Sequence, residues 1–297
     1  MKLLKYLINR DYRFAVNASL GLCNRMSDEV YLKRMFRYTM GAELNLDTPK
    51  TFNEKLQWLK LHDRKPIYTT MVDKFAAKEF AASIIGNEYI IPTIGVWNSF
   101  DEIDFDNLPN EFVLKCTHDS GGLVICKAKN KFNKQTAKIK ISDSLKRNFY
   151  YYGREWPYKN VKPRIIAEKY MEDDITSKLP DYKIYTFNGL AKFCMINQDR
   201  NIHTTADYFD RDYNWLDFTW GYDHAAFPPE KPKCYELMFY LAEKLAVGTT
   251  VLRVDFYEVN GQVYFGELTF YDGSGFDKIY PIEWDYKLGS MIDLPHS

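Results

Sequence analysis

Two acids and an arginine near the C-terminal end are spaced so that they could do chemistry together. The runs Val251-Leu-Arg-Val-Asp255-Phe-Tyr-Glu-Val and Gln262-Val-Tyr-Phe-Gly-Glu267-Leu-Thr269 are strand-like and flank Asn260-Gly261, a dipeptide favoured in tight hairpin turns. Folding at that turn brings Asp255 and Glu267 roughly opposite each other. Facing acids repel and are costly to bury. A divalent cation relieves that cost, and hard oxygen ligands suit Mg²⁺ bound together with phosphates. Arg253 lies two residues before Asp255, so it shares that strand face and adds a fixed positive charge. Taken alone, the trio also fits a surface ion pair on an ordinary hairpin.

Other residues along the chain have matching chemistry. Lys115 sits in the apolar run Phe112-Val-Leu-Lys-Cys116, just before Thr117-His-Asp-Ser120-Gly121-Gly122. A lysine there either snorkels outward or meets an anion, and two glycines let backbone N–H groups approach a phosphate. The plain reading is an ordinary hairpin tip. Glu168-Lys169-Tyr170-Met171 ends another apolar run. It offers backbone hydrogen bonds and an apolar wall, as an adenine needs, and an acid for ribose hydroxyls; otherwise it is an edge strand. Asp181-Tyr-Lys183 opens the next strand, where Lys183 alternates with apolar residues. Lys74 falls in a helical pattern, where a surface lysine is the plain reading. His118 reads as a loop surface residue, and the five histidines (62, 118, 203, 224, 296) lack metal-ligand spacing.

The elements that must position these residues follow from periodicity. Residues 1–70 read as helical. Thr51-Phe-Asn-Glu54 has the capping-box pattern before an amphipathic run. A further helix is expected over Met71–Ile85, then an apolar strand over Tyr89–Trp97 with a proline break. Residues 112–128 read as a hairpin, Phe132–Tyr151 as helix and Pro163–Met171 as strand. A second hairpin follows over 182–196, then a loop-rich stretch over 199–232, a helix over Cys234–Val247, the acidic hairpin and an irregular tail. This is an α+β chain: a helical start, a small βαβ-type unit and a larger antiparallel unit.

Composition limits the function classes. Lys plus Arg and Asp plus Glu both number 40 in 297 residues, so no bulk field favours nucleic acid. Five scattered cysteines without a Cys-x-x-Cys pair point to reduced thiols in a cytoplasm, not to a disulfide framework or zinc. No run is long enough to span a membrane. The first ten residues are basic and amphipathic. They read as a short helix packed on the domain, or as one resting on the inner face of a membrane. No Ser-His-Asp or Cys-His arrangement, Walker A motif, dinucleotide fingerprint or kinase signature is present.

Taken in order, the pieces resemble the ATP-grasp superfamily, most closely its TupA-like (teichuronopeptide-biosynthesis) branch from surface-polysaccharide gene clusters. The phrases are Thr51-Phe-Asn-Glu-Lys-Leu-Gln-Trp-Leu-Lys60, Asp73-Lys74, Ile85-Gly86, Ile91-Pro92, Phe112-Val-Leu-Lys115, Asp181-Tyr-Lys183 and Phe265-Gly-Glu-Leu-Thr-Phe270. The resemblance implies two α+β subdomains gripping ATP, over 71–175 and 176–297, after a helical region of 1–70. It implies that Lys74 and Lys115 contact ATP phosphates and that Ser120, Gly121 and Gly122 form a mobile phosphate loop. Glu168, Lys169, Tyr170 and Met171 become the hinge strand for adenine and ribose, and Asp181 and Lys183 line the cleft. Asp255 and Glu267 hold Mg²⁺, and Arg253 stabilises the reacting oxygens. Thr269 stands where many relatives carry a metal-binding Asn, with Asp272 near enough to compensate. The usual N-terminal Rossmann-like domain is missing, so the acceptor does not carry over.

The activity implied is an ATP-dependent carboxylate–amine ligase, ADP-forming, that joins an amine or amino acid to a carboxyl sugar of a surface polysaccharide. A glycosyltransferase ranks lower for want of a nucleotide-sugar fingerprint. A phosphotransferase and a non-catalytic binding module would also be compatible with the same fold.

Overall fold

The computed structural model describes residues 2–174, 179–198 and 204–295. His203, His296 and the expected 175/176 subdomain boundary lie outside them. Four helices open the chain: α1 Lys2–Ile8, α2 Arg10–Ser19, α3 Asp28–Met40 and α4 Phe52–His62. The capping box forms at α4. Thr51 accepts from the Glu54 N–H, and Glu54 accepts in return from the Thr51 N–H at 3.0 Å. Phe14, Tyr31, Leu32, Phe36 and Leu44 give this region a small core of its own.

The single helix expected over Met71–Ile85 is two helices, α5 Ile67–Val72 and α6 Ala76–Ile85. Asp73 causes the break. It is extended, with φ −73° and ψ 110°, and its carboxylate accepts from the Phe75 N–H at 3.0 Å, a local bond that competes with helix. Lys74 therefore lies in the gap between two helices, not within one.

A four-stranded sheet follows, from β1 Thr93–Trp97, β2 Phe112–Cys116, β3 Leu123–Cys126 and β4 Ile165–Lys169, in the order β1-β4-β2-β3. All its pairs are antiparallel. β3 and β4 nevertheless run in the same direction on either side of β2, joined through α7 Lys134–Leu145 and the short α8 Tyr150–Gly153. The βαβ-type reading survives as this crossover.

The larger sheet has β5 Asp181–Phe187, β6 Leu190–Gln198 and β7 Thr205–Asp210. After the two-residue β8 Thr219–Trp220 and helix α9 Tyr235–Leu245 come β9 Val251–Val259 and β10 Gln262–Thr269. The order is β10-β9-β5-β6-β7. β11 Ile279–Tyr280 pairs with β8, and α10 Ile282–Ser290 follows. Two expectations fail here. The stretch read as loop contains β7, and the tail read as irregular contains α10. The β5–β6 and β9–β10 turns both put Asn then Gly at positive φ: 51° and 79° for Asn188-Gly189, 52° and 74° for Asn260-Gly261, as a primed turn requires. The main core joins α4, α5, α6, α9 and this sheet. A second cluster lies between the smaller sheet and α7.

Candidate functional site

The register of β5, β9 and β10 builds the site in rows. Lys183, Asp255 and Glu267 form one row; Tyr185, Arg253 and Thr269 form the next; Asp181 faces Tyr257 on the other side. A two-residue step keeps the rows on one face. The expected pairing of Asp255 with Glu267 is present, and a bulge makes it so. From Gln262 to Phe265 the regular register would set Asp255 against Gly266, and an irregularity before Glu267 shifts it by one. A Cβ on Gly266 would lie 3.0 Å from the Asp255 carbonyl oxygen, so the bulge suits glycine.

Arg253 organises the acids. Its Nε and Nη2 donate to the two Asp255 oxygens at 2.6 and 2.8 Å, its Nη1 donates to Asp272 at 2.6 Å, and its Nη2 reaches Glu267 at 3.2 Å. Lys183 donates to Asp255 at 3.1 Å and to Asp181. The Tyr185 hydroxyl donates to Asp272. Burial pushes the Asp255 carboxyl up, against the pull of Arg253 and Lys183. Burial would also raise Glu267, but Lys74 and Arg253 outweigh it and hold this carboxyl at about 2.

The smaller sheet and the α5–α6 gap supply facing cations. Lys74 Nζ lies 3.2 Å from Glu267 and donates to the Asp119 carbonyl at 2.9 Å, while its backbone N–H donates to the Thr117 carbonyl at 2.9 Å. Lys115 Nζ is 2.5 Å from one Glu168 oxygen and Lys78 Nζ 2.6 Å from the other. Burial alone would raise the Glu168 carboxyl; Lys115 and Lys78 bring it below its usual range. In this arrangement the Glu168 carboxylate holds two lysines. Burial, with the acids Asp181, Glu267, Asp255 and Glu168 nearby, pushes the Tyr257 phenol well above its usual range.

The glycine-rich loop is anchored at both ends. Ser120 and Gly121 are exposed at its tip, and Gly121 has φ 110°. Gly122 is buried, and a Cβ there would come within 2.3 Å of the Ser144 hydroxyl. His118 is not a surface residue: it is 2% exposed. Its Nε2 faces the Ser144 and Arg147 carbonyls at 3.2 and 3.1 Å. Both partners only accept, so this nitrogen carries the proton. His118 thus ties the loop to the end of α7.

Some candidates do not join the charged row. Lys169 is exposed, and the Tyr170 hydroxyl turns to Glu172 at 2.6 Å. Met171 follows them, half-buried. The Asp-x-Asp spacing that a metal-dependent glycosyltransferase would use occurs twice, at Asp104-Phe-Asp106 and Asp210-Arg-Asp212. Each folds on itself: Asp104 accepts from the Asp106 N–H, and Asp210 from the Asp212 and Asn214 N–H groups.

Sequence reasoning missed Lys78, Tyr185 and Tyr257, although Tyr185 and Tyr257 each stand two residues from a candidate on the same strand face. It also missed a polar stripe on α4. Asn53, Gln57 and Lys60 are all fully buried. Asn53 binds Asp285 and the Asp277 carbonyl. Gln57 donates to the Ser274 and Gly275 carbonyls at 3.1 and 2.7 Å, and Lys60 to the Ser274 carbonyl at 2.7 Å. Gly273, Ser274 and Gly275 all have positive φ, 54°, 54° and 61°. The stripe thus clamps the turn that delivers Asp272 to Arg253.

A cavity of about 440 Å³ opens beside Arg253 and Lys183, with Met195, Asn197, Trp220 and Asp277 on its walls. Among the described residues no three His, Cys, Asp or Glu side chains form a cluster able to hold a metal. Asp255 and Glu267, as a facing pair of hard oxygen donors, fit a Mg²⁺ that takes its remaining ligands from phosphates and water.

Two antiparallel α+β units, one carrying lysines and a glycine loop and the other a hairpin of acids with an arginine, define an ATP-grasp protein. The match is specific. The TupA-like ATP-grasp family model covers residues 54–293, and the chain belongs to that family. No curated protein matches it. Among solved structures it is similar to the D-alanine–D-alanine ligase of Helicobacter pylori, with 15% identity and TM-score 0.44, covering 82% of this chain and 69% of that one. The L-amino acid ligase of Bacillus licheniformis gives 10% and 0.46, covering 84% and 57%. The D-alanine–D-alanine ligase of Bacillus anthracis complexed with ATP gives 14% and 0.38, covering 68% and 54%. The chain spans between about half and two thirds of the length of these proteins.

Proposed function

We propose that the protein is an ATP-dependent carboxylate–amine ligase, ADP-forming, working through an acyl phosphate. The observation that carries this reading is the charge pattern of the row. Among the described residues Lys74, Lys78, Lys115, Lys183 and Arg253 meet Glu168, Asp181, Asp255, Glu267 and Asp272, five charges of each sign. A nucleotide triphosphate with its metal can enter such a set by exchange. The lysines would turn to phosphate oxygens, and the carboxylates they release, Asp255 and Glu267, would hold the metal. A bound Mg²⁺ supplies charge neutralisation for phosphoryl transfer.

The chain's own residues then have distinct tasks. Lys74 and Lys115 bind phosphate oxygens, and Ser120, Gly121 and Gly122 close over them. Asp255 and Glu267 hold the metal; Thr269, facing Arg253, and Asp272 stand next to them. The stretch Glu168–Met171 carries the base and ribose, with Glu168 keeping Lys115 in place. Asp181 fixes Lys183, and Lys183 with Arg253 faces the cavity. There the acceptor carboxylate attacks the terminal phosphorus, ADP leaves, and Arg253 stabilises the oxygens where charge develops. An amine then attacks the acyl carbon, and phosphate leaves. Positioning and charge do the work, which fits a site without a protein nucleophile. As acceptor we assign a carboxyl-bearing sugar of a surface polysaccharide, and as amine an amino acid. Support for this choice is the family resemblance and a cavity with polar walls beside Trp220 and Tyr222.

The test is ADP release by the purified protein with Mg²⁺-ATP, across a panel of uronic acids, with hydroxylamine replacing the amine. The reading expects ADP only with an acceptor, and a hydroxamate as product. ADP with a stable phosphorylated product and no hydroxamate would make the protein a phosphotransferase. Consumption of a nucleotide sugar without ATP would make it a glycosyltransferase.

A further inference from the structure

Six large apolar side chains at the N-terminal end have no cover. Leu3, Leu4, Leu7 and Ile8 of α1 are 61–74% exposed, and Leu20 and Leu22 just beyond α2 are 68% and 72% exposed. They belong together because α1 folds back on α2. Asn9 caps α2 and makes the corner. The Tyr6 hydroxyl reaches Asn17 at 2.9 Å, and Arg13 donates to the Leu7 carbonyl at 2.9 Å. Leu3 lies one turn before Tyr6 and Leu20 one turn after Asn17, so antiparallel packing brings both to the same end.

The α2 end of the patch is tied to the fold. Phe14 is buried in the N-terminal core, and Arg154, 1% exposed, donates to the Cys23 carbonyl at 2.8 Å. Exposed leucines on a fixed scaffold mark a contact surface rather than a frayed end. Its charge says what it contacts. The chain is neutral overall, yet residues 1–25 hold Lys2, Lys5, Arg10, Arg13 and Arg25 against Asp11 alone. Asp11 is already taken by Arg37 at 2.7 Å. Among the described residues no helix is long and apolar enough to cross a membrane, so the patch would lie on a surface.

We propose that the α1–α2 hairpin docks the protein on an anionic lipid bilayer. Leu3, Leu4, Leu7, Ile8, Leu20 and Leu22 enter the interface, and Lys5, Arg10 and Arg25 face the headgroups. This rests on the hairpin alone and is independent of the ligase reading.

The experiment is sedimentation of the full chain with phosphatidylglycerol-containing vesicles and with pure phosphatidylcholine vesicles. Binding to the anionic vesicles is expected to be at least about tenfold tighter and to fall at high salt, since each cation near the surface contributes roughly fivefold. Leu4→Ser/Leu7→Ser should weaken it about tenfold or more, and Arg10→Glu about fivefold or more. Ile139→Ser, which alters an exposed residue of α7, should change nothing. Far-UV circular dichroism checks that each variant is folded. Equal binding to both vesicle types, no binding, or folded variants that bind like wild type would overturn the proposal. So would a dimer that the leucine variant dissociates without any vesicle binding, which would make the patch a contact between copies.

Discussion

Glu168 is a single carboxylate holding two lysines from different elements, Lys78 of α6 and Lys115 of β2. Its folded-state carboxyl lies below the ordinary value of 4.5, because Lys115 and Lys78 outweigh burial. A lowered carboxyl adds stability that is present above its unfolded value and lost as pH falls below it. Glu168→Gln should therefore cost about 3 kcal/mol near neutral pH, because it strands the buried Lys78 ammonium and the partly buried Lys115 one. The deficit should shrink as pH drops below 4.5. Denaturant unfolding of both proteins across that range measures it, and a deficit independent of pH would contradict the ion-pair account. Glu267 is more open at its surface, with 36% of its side chain exposed. Solvent screens its pull on Lys74 and Arg253, so Glu267→Gln should abolish ATP turnover while costing less stability than Glu168→Gln. Wild-type turnover would remove this residue from the metal site. The acids, Arg253 and Lys115 were legible because charge inside an apolar run is anomalous. Lys78 was not, since a lysine in an amphipathic helix looks solvated until the opposite sheet is placed.

At the scale of elements, α4 gives the clearest contrast. Its start could be read from Thr51 and Glu54, because a cap is a local hydrogen-bond pattern. Its buried polar face could not. Asn53, Gln57 and Lys60 look like a solvent stripe, and it is the distant 274–285 segment and the Gly153 carbonyl that satisfy them. Similar reasons hid β7, whose partner β6 lies across a chain reversal, and α10, which starts after Pro281 in a stretch with weak periodicity. The Gly266 bulge was invisible for the same reason: register is a property of two strands together. The clamp has a functional consequence. Burial pushes the Lys60 ammonium down and the Glu155 carboxyl up. Lys60→Met removes the buried donor to the Gln57 side-chain oxygen and to the Gly153 and Ser274 carbonyls, together with the positive charge near buried Glu155, so it should cost about 3 kcal/mol in denaturant unfolding. It should also lower kcat more than it raises KM for ATP, because the turn bearing Asp272 loosens from Arg253. A stable variant with unchanged kcat would show that the clamp does not support the site.

In the whole molecule Lys74 of the α5–α6 gap meets Glu267 of the acid-bearing sheet, and the α+β, ATP-grasp plan was readable from the order of motifs. The charges of the site already pair with one another, Lys74 and Glu267 across the two units and the others within each, so in the proposed function nucleotide binding is an exchange of partners. Saturating Mg²⁺-ATP at roughly a hundredfold over its Kd should stabilise the fold by about 2.7 kcal/mol. Lys115→Ala should remove most of that gain, and an equal shift in both proteins would place the phosphates elsewhere. The central claim, activation of a carboxylate by phosphoryl transfer, is open to one direct measurement. An acceptor found in the ADP-release panel, labelled with oxygen-18 in its carboxylate, is turned over with Mg²⁺-ATP and an amine, and the inorganic phosphate is analysed by mass spectrometry. The account predicts one labelled oxygen in each phosphate, because the carboxylate oxygen that attacks phosphorus leaves with it. Unlabelled phosphate beside ADP, or label appearing in AMP, would contradict it.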